Sequence, residues 1–554
     1  MRMIILVHLA LTAIASIILT PASAATPCPR PAVGGEINAP RNLFSKGGFL
    51  NVTLNYYTQL DDANRTLFCF VTDDGVQSPT LHVSPGDLLS ITLKNQLPSL
   101  PGRAAELAVA PDLWGCGSLD MSAQSVNIHF HGTNSRPICH SDGVVHTLVN
   151  PGDTFTYHVK FPTDEPPGLY WYHPHVHGIS ELALQGGATG AIVVDGIENI
   201  QPKVAGLPER VLLTRDQRLR VPGHIGPPGS AKPSWDISLN YVPIEYPAYV
   251  PAKMKLPFGE KEFWRLANTC ADTILDVRLV YDGVTQPFEI VALDGVPVGS
   301  HDGTQLGTTF TVDHLLIPPA GRAEFIVTTP SATVKKAIFE TLEIDGGPAG
   351  DNNLRRTMAV LVPLPPPPTA ALAPGAAPAV AALRTLPRST GRPGPQRFDG
   401  LNKAPVTASR KLFFSEEDIF VKAPAEFPLN FFITVDGQTP KLFSPTNPPA
   451  IVTTQGAVED WTIENRTQEV HEFHMHQIHF ELLAINGVPV SAEQRQFYDT
   501  LQAPYWSGTG PYPSVTVRMD FRGEVAGDFV YHCHILGHED GGMMAIIRVL
   551  AKHS

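Results

Sequence analysis

Apolar and polar positions alternate along most of the chain. Leu50–Leu54 reads apolar, polar, apolar, polar, apolar, the period-two signature of a half-buried strand. Leu88–Leu93, Phe263–Leu266, Ala323–Val327, Phe431–Val435 and Ser514–Met519 are further strand-like runs. Pro-Gly steps at 85–86 and 151–152 mark turns between them. The runs gather into three stretches, residues 37–196, 203–363 and 405–551. Each is long enough for one sandwich core. The pattern therefore predicts an all-β chain of three consecutive Greek-key barrels or sandwiches. Residues 364–400 interrupt it with Pro365–Pro368 and an Ala/Pro/Gly-rich run, which reads as a linker, semi-rigid where proline dominates.

The N-terminus follows other rules. Arg2 precedes an apolar run from Ile4 to Thr20, and Ala22-Ser23-Ala24 offers small residues for cleavage. Residues 1–24 read as a secretory signal, with an uncleaved membrane anchor as the alternative. Export to the periplasm or the extracellular space, without a membrane association after cleavage, is the expectation. Proline is abundant, 53 of 554 residues, which disfavours long helices. The net charge of -13 argues against a nucleic-acid partner and suits cations or neutral organic molecules. An exported chain can form disulfides, and five cysteines (Cys28, Cys69, Cys116, Cys139 and Cys270) are available if Cys533 has other work.

Candidate chemistry lies in the histidines. Ten of the 21 fall into four clusters: His129 and His131; His173 and His175; His471, His474 and His476; and His532, His534 and His538. Alternate residues of a strand share a face and lie about 6.6–6.8 Å apart. Each His-x-His therefore presents two imidazoles together, and four such pairs over-supply a single zinc ion. Cys533, between His532 and His534, faces the other way. With His471 and His538 it makes a two-His, one-Cys set, and Met543 offers a weak axial thioether, the blue-copper pattern. Zinc-dependent hydrolysis would leave Cys533 and Met543 without a role. The second stretch holds only scattered histidines, so the chemistry belongs to the first and third.

These motifs, HFHG at 129–132, HPH at 173–175, HEFHMH at 471–476 and HCHILGHEDGGM at 532–543, resemble the four copper motifs of the multicopper oxidases, in family order. The likeness is to laccase-like members with three cupredoxin domains. It implies four copper ions. His471, Cys533, His538 and Met543 would hold the type 1 copper, and His129 and His474 the type 2 copper. His131, His173 and His534 would hold one type 3 copper, and His175, His476 and His532 the other. Asp142 and Glu539 match acidic positions that family members place near the trinuclear cluster, where dioxygen reduction needs protons.

The implied activity is one-electron oxidation of phenols or aromatic amines at type 1 copper. Electrons would pass through Cys533 to its histidine neighbours, and dioxygen would be reduced to water. An axial methionine implies a low to middle type 1 potential and hence a preference for electron-rich phenols. A metal-ion oxidase acting on Fe(II), Cu(I) or Mn(II) is the enzymatic alternative; it requires surface carboxylates near His471 or His538. Only nine methionines are present, in no rich segment, which weighs against a dedicated cuprous oxidase. A non-enzymatic cupredoxin-like envelope protein is the remote alternative. One chain carries every ligand, so a monomer suffices. Cys116 and Cys139 are the favoured disulfide pair, with the remaining connectivity open.

Overall fold

The computed structural model describes residues 27–98, 116–118, 120–221, 229–299, 307–364, 383–390, 394, 396–418, 429–491 and 493–552. The expected signal segment and the proline-rich part of the linker, 365–382, lie outside the described residues. No helix among the described residues is long and apolar enough to cross a membrane.

One pairing scheme occurs three times. A long strand pairs in parallel with a later strand of its sheet: Phe49–Leu60 with Leu88–Asn95, Pro208–Gln217 with Lys261–Asn268, and Ala408–Asp418 with Val458–Asn465. A second parallel pair follows each time: Thr80–Val83 with Gly190–Val194, Ala252–Leu256 with Arg356–Pro363, and Ile451–Thr454 with Met544–Leu550. Parallel neighbours cannot be joined by a hairpin, so the chain crosses between sheets before it returns, as a Greek key does. The three units are consecutive cupredoxin-like sandwiches. Their cores hold Leu54, Ile91 and Phe130; Trp264, Phe325 and Phe339; and Trp461, Phe473 and Val517. Each such side chain contributes roughly 1.5–3 kcal/mol on burial.

The repetition extends to single residues. In each unit the second strand of the first pair ends in a buried asparagine. Asn95 donates from Nδ2 to the carbonyls of Gln124 and Val149, Asn268 to those of Thr273 and Ile317, and Asn465 to those of Glu469 and Ala503. Each ties its strand to the loops beyond, and the third holds the backbone two residues before His471. The second and third units also share a Glu-x-Trp device. Glu262 accepts from Trp264 Nε1 and Arg210, and Glu459 from Trp461 Nε1 and Arg410.

The described part of the 364–400 stretch is docked. Arg384–Thr385 pairs antiparallel with Pro208–Glu209, and Arg384 Nη1 reaches Asp195 at 2.8 Å and Glu209 at 3.0 Å. Cys116 and Cys139 form a disulfide, as do Cys28 and Cys69; Cys270 and Cys533 are free thiols.

Candidate metal centres

Two strands of the third unit fix both centres. His471–Met475 pairs antiparallel with Gly527–Cys533, placing Phe473 opposite Cys533 and His474 opposite His532. Strand alternation then separates the chemistry. His471, Phe473 and Met475 share one parity, and His474 and His476 the other. On one side stand His471 and Cys533, joined by His538 from the short helix Leu536–Asp540. His471 Nδ1 and His538 Nδ1 are 3.0 Å apart, and Cys533 Sγ lies 3.6 Å and 3.7 Å from them. Metal–ligand bonds of about 2.0–2.3 Å in a trigonal plane put neighbouring donor atoms ~3.6 Å apart, so these three side chains fit one ion.

Backbone bonds bring Met543 alongside: Cys533 N–H donates to the Met543 carbonyl at 3.1 Å, and Met543 N–H to that of His538 at 3.0 Å. Met543 is buried in the same core cluster as Cys533, whereas Met544 packs with Val144, Val145 and Phe443. The Cys533 sulfur also accepts the backbone N–H of Glu472 at 3.4 Å. Burial, with the charges of Glu472 and Glu469, pushes its thiol well above the usual range, and that hydrogen bond opposes the shift.

The second centre gathers His129, His131, His173 and His175 from the first unit with His474, His476, His532 and His534 from the third, all buried. The rings interleave: His129 stacks on His476 at 3.8 Å, and His131 on His474 at 4.1 Å. Outer nitrogens are committed. His173 Nδ1 faces the Pro174 carbonyl at 2.8 Å, His474 Nδ1 that of Asp499 at 2.7 Å, and His532 Nδ1 that of Cys533 at 2.8 Å. A carbonyl only accepts, so each of these nitrogens carries the proton and the opposite nitrogen a lone pair. Those inner atoms, among them Nε2 of His129, His173 and His474 and Nδ1 of His131, have no hydrogen-bond partner. His532 Nε2 stands 3.2 Å from Nε2 of both His175 and His476. Convergent, orphaned imidazole nitrogens repel one another unless cations lie between them, and imidazole with thiolate suits copper. Burial and neighbouring histidines hold these imidazoles well below their usual pKa, which keeps them unprotonated. The residues present fit bound copper.

Asp142 and Glu539 both reach this centre. Asp142 Oδ1 lies 3.0 Å from His129 Nδ1 and accepts the Phe130 N–H at 3.1 Å, while Oδ2 accepts from Gln477 of the third unit. Burial raises its pKa to about 7. Glu539 sits 3.8 Å from His175 Nδ1 and 3.7 Å from His532 Nδ1, and burial lifts its carboxyl well above the usual range. His177 and His479 stay outside. His177 lines a small apolar cavity beside His175, and His479 Nε2 faces the Asp294 carbonyl at 2.8 Å.

Other functional residues were not marked in the sequence. Asp499 Oδ1 lies 3.2 Å from His131 Nε2 and is gripped by Arg322 of the second unit. Gly132, last of the HFHG motif, has φ +85°, and a Cβ there would lie 2.3 Å from Arg322 Nη2 and 2.7 Å from Asp499 Oδ2. Its place as a glycine directly after His131 in the HFHG motif is the one local signal that could have hinted at such packing. At the other centre, Glu416 Oε1 lies 3.2 Å from His471 Nε2 and Glu469 Oε1 lies 3.3 Å from His538 Nε2. Burial raises Glu416, but bonding to His471 more than offsets it and holds the carboxyl below its usual range. Burial and the Glu416 charge push Glu469 well above that range.

Residues 421–553 match a family model for multicopper oxidases, and residues 120–199 match a second. The multicopper oxidase LPR1 homolog 1 of Oryza sativa subsp. japonica is 22% identical over 88% of this chain and 85% of its own. The multicopper oxidase of Campylobacter jejuni, described as a metallo-oxidase, shares the fold with a TM-score of 0.63 at 19% identity, covering 95% of this chain and 96% of that one. The laccase-like CueO of an Ochrobactrum species, described as active towards lignin model compounds and lignosulfonate, gives 0.62 at 19% identity over 93% and 100% of the two chains.

Proposed function

Because the chain belongs to the multicopper oxidase family and is thus a copper-dependent oxidoreductase, we propose that it takes electrons from a reduced metal ion of the Fe(II) or Mn(II) class and delivers them to dioxygen. Four such ions, one dioxygen and four protons balance to four oxidised ions and two waters. The carrying observation is the pair Glu416 and Glu469, one carboxylate on the outer nitrogen of each type 1 histidine. Carboxylate oxygens bind hard, oxygen-loving cations, not Cu(I). The Glu416 and Glu469 side chains retain 16% and 9% exposure, so a cation can reach them from solvent.

The remaining roles follow the two centres. His471, Cys533, His538 and Met543 would hold one type 1 copper. His129 and His474 would hold the type 2 copper; His131, His173 and His534 one type 3 copper; and His175, His476 and His532 the other. Copper bound there supplies the one-electron chemistry that joins single-electron donors to the four-electron reduction of dioxygen. Cys533 covalently links the two ligand sets through its backbone neighbours His532 and His534. Asp142 and Glu539 hold protons beside His129, His175 and His532, where burial favours the protonated carboxyl.

A phenolic reductant is the second reading. The Trp506 backbone N–H donates to the carbonyl of Thr467, two residues before Glu469, and the Trp506 ring lies 5.0 Å from that of Tyr512, an aromatic pair a phenol could meet. The disulfides support an exported protein in the periplasm or outside the cell. A monomer is sufficient, since one chain supplies both centres. Oxygen-consumption kinetics with Fe(II) and with a methoxyphenol, on the copper-loaded chain, test the reading. A higher kcat/KM for Fe(II) is expected; a phenol preferred by tenfold or more would overturn it in favour of the second.

A further inference from the structure

Of the four first-unit histidines assigned to the trinuclear centre, three lie on paired strands. His129 and His131 belong to the strand His129–His131, and His173 ends Gly168–His173, opposite His129. His175 lies beyond Pro174, past the end of its strand. Pro174 has no N–H, so the ladder does not continue through it. The His175 backbone needs another anchor.

Asn127 supplies it. Its Oδ1 accepts the His175 N–H at 2.7 Å, and its Nδ2 lies 3.2 Å from the His175 carbonyl. The same Nδ2 lies 3.2 Å from the carbonyls of Val144 and of Thr147. Three acceptors on one side and a donor on the other fix which way the amide points. Asn127 is 1% exposed and stands two residues before His129. Val144 opens the short turn that follows Asp142 and Gly143, and Asp142 is the carboxyl that meets His129 Nδ1. One buried amide thus ties together the segments that carry His129, His175 and Asp142. A small apolar cavity lined by Asn127, Val144, Val145 and His175 leaves this junction without close packing on one side. Its geometry therefore depends on the hydrogen bonds, and buried backbone groups left without partners are costly.

We propose that Asn127 is a positioning residue of the trinuclear centre, holding His175 against the Asp142 turn, a role that rests on the assignment of His175 to copper.

Three variants of the copper-loaded full chain test it. Asn127→Leu keeps the size of the side chain and removes every one of these bonds. Asn127→Asp keeps an acceptor for the His175 N–H and loses the amide donor. Asn95→Leu is the comparison, because Asn95 also bonds buried carbonyls, those of Gln124 and Val149, neither of them on an assigned ligand. Asn127→Leu should lose one copper ion or more while its blue type 1 absorption stays near the parental value. Anaerobic reduction of the blue centre should keep its rate, and reoxidation by dioxygen should slow at least tenfold. Asn127→Asp should fall between this variant and the parent. Asn95→Leu should be less stable than the parent but reoxidise within about threefold of it. Equal loss of both centres in Asn127→Leu, parental reoxidation, or the same slowing in Asn95→Leu would overturn the proposal. If Asn127→Leu does not fold, Asn127→Asp decides alone, and parental reoxidation overturns the proposal.

Hydrogen exchange separates the tie from the copper assignment. In the copper-free full chain, the His175 amide should exchange at least tenfold faster in Asn127→Leu than in the parent. Unchanged exchange would overturn the tie, however copper binds. Faster exchange, with a parent that binds fewer than four copper ions, would support the tie and count against the copper assignment alone.

Discussion

Arg322 donates from Nη1 to Oδ1 of Asp499 at 2.6 Å, and both side chains are fully buried. The pair joins all three units. Arg322 belongs to the second and Asp499 to the third, and Asp499 reaches His131 of the first. The second unit, which supplies none of the proposed copper ligands, thereby positions one that the first unit supplies. Arg322→Met leaves the Asp499 carboxylate buried and unpaired, a loss of about 3–5 kcal/mol. Gly132→Ala drives a methyl group into the same pair from a backbone of φ +85°. Both variants should show lowered urea midpoints and a copper content below that of the parent. Unchanged stability in both would mean that the pair does not hold the units together.

Glu416→Gln removes a carboxylate charge, and Glu469→Gln removes a carboxyl that can ionise when a cation binds; both keep the side-chain shape. Each lost charged contact is worth about 1.5–3 kcal/mol. Each variant should therefore lose tenfold or more in kcat/KM for Fe(II), mostly through KM, with phenol turnover within about threefold of the parent. Stopped-flow reduction by each substrate separates the two effects. Equal losses on both substrates would show that the carboxylates serve the type 1 centre itself, not the metal ion.

Glu165 sets a pH dependence of stability. It is buried beside Asn134, and burial raises its carboxyl from 4.5 to about 7. The folded chain keeps this proton between those values while the unfolded chain releases it. The native state thus binds more protons in that window, and stability falls as pH rises through it. The loss is about 3 kcal/mol at most and is complete above pH ~7. Glu165→Gln should be more stable than the parent at pH 8, with the difference shrinking towards pH 5, read as unfolding midpoints. A difference constant with pH would contradict this.

The sequence carried what repeats along the strand. His129 and His131, or His532 and His534, announce a shared face because strand alternation is local. Leu50–Leu54 and Ser514–Met519 announce strands for the same reason, and both fall within strands of the structure. Contacts made across distant stretches were not legible. Glu416 and His471 are 55 positions apart, and Asp499 and His131 are 368 apart. Nothing in Phe497-Tyr498-Asp499-Thr500 distinguishes Asp499 from a surface acid. The Cys28–Cys69 bridge was equally silent, because connectivity follows from strand pairing and not from spacing. Asn465 begins an Asn-x-Thr sequon, yet it is buried and both its Nδ2 bonds are made within the fold, so it is closed to glycosylation.

Cys533 is assigned to one copper ion and its neighbours His532 and His534 to the other centre, so the two are expected to work as a unit. Copper content and oxygen consumption of Cys533→Ser, measured beside the parent, test it most directly. Four copper ions are expected in the parent and three in the variant. Loss of the intense blue absorption and of nearly all oxygen consumption with Fe(II) or phenol is also expected. A variant that still consumes oxygen at the parental rate would contradict it.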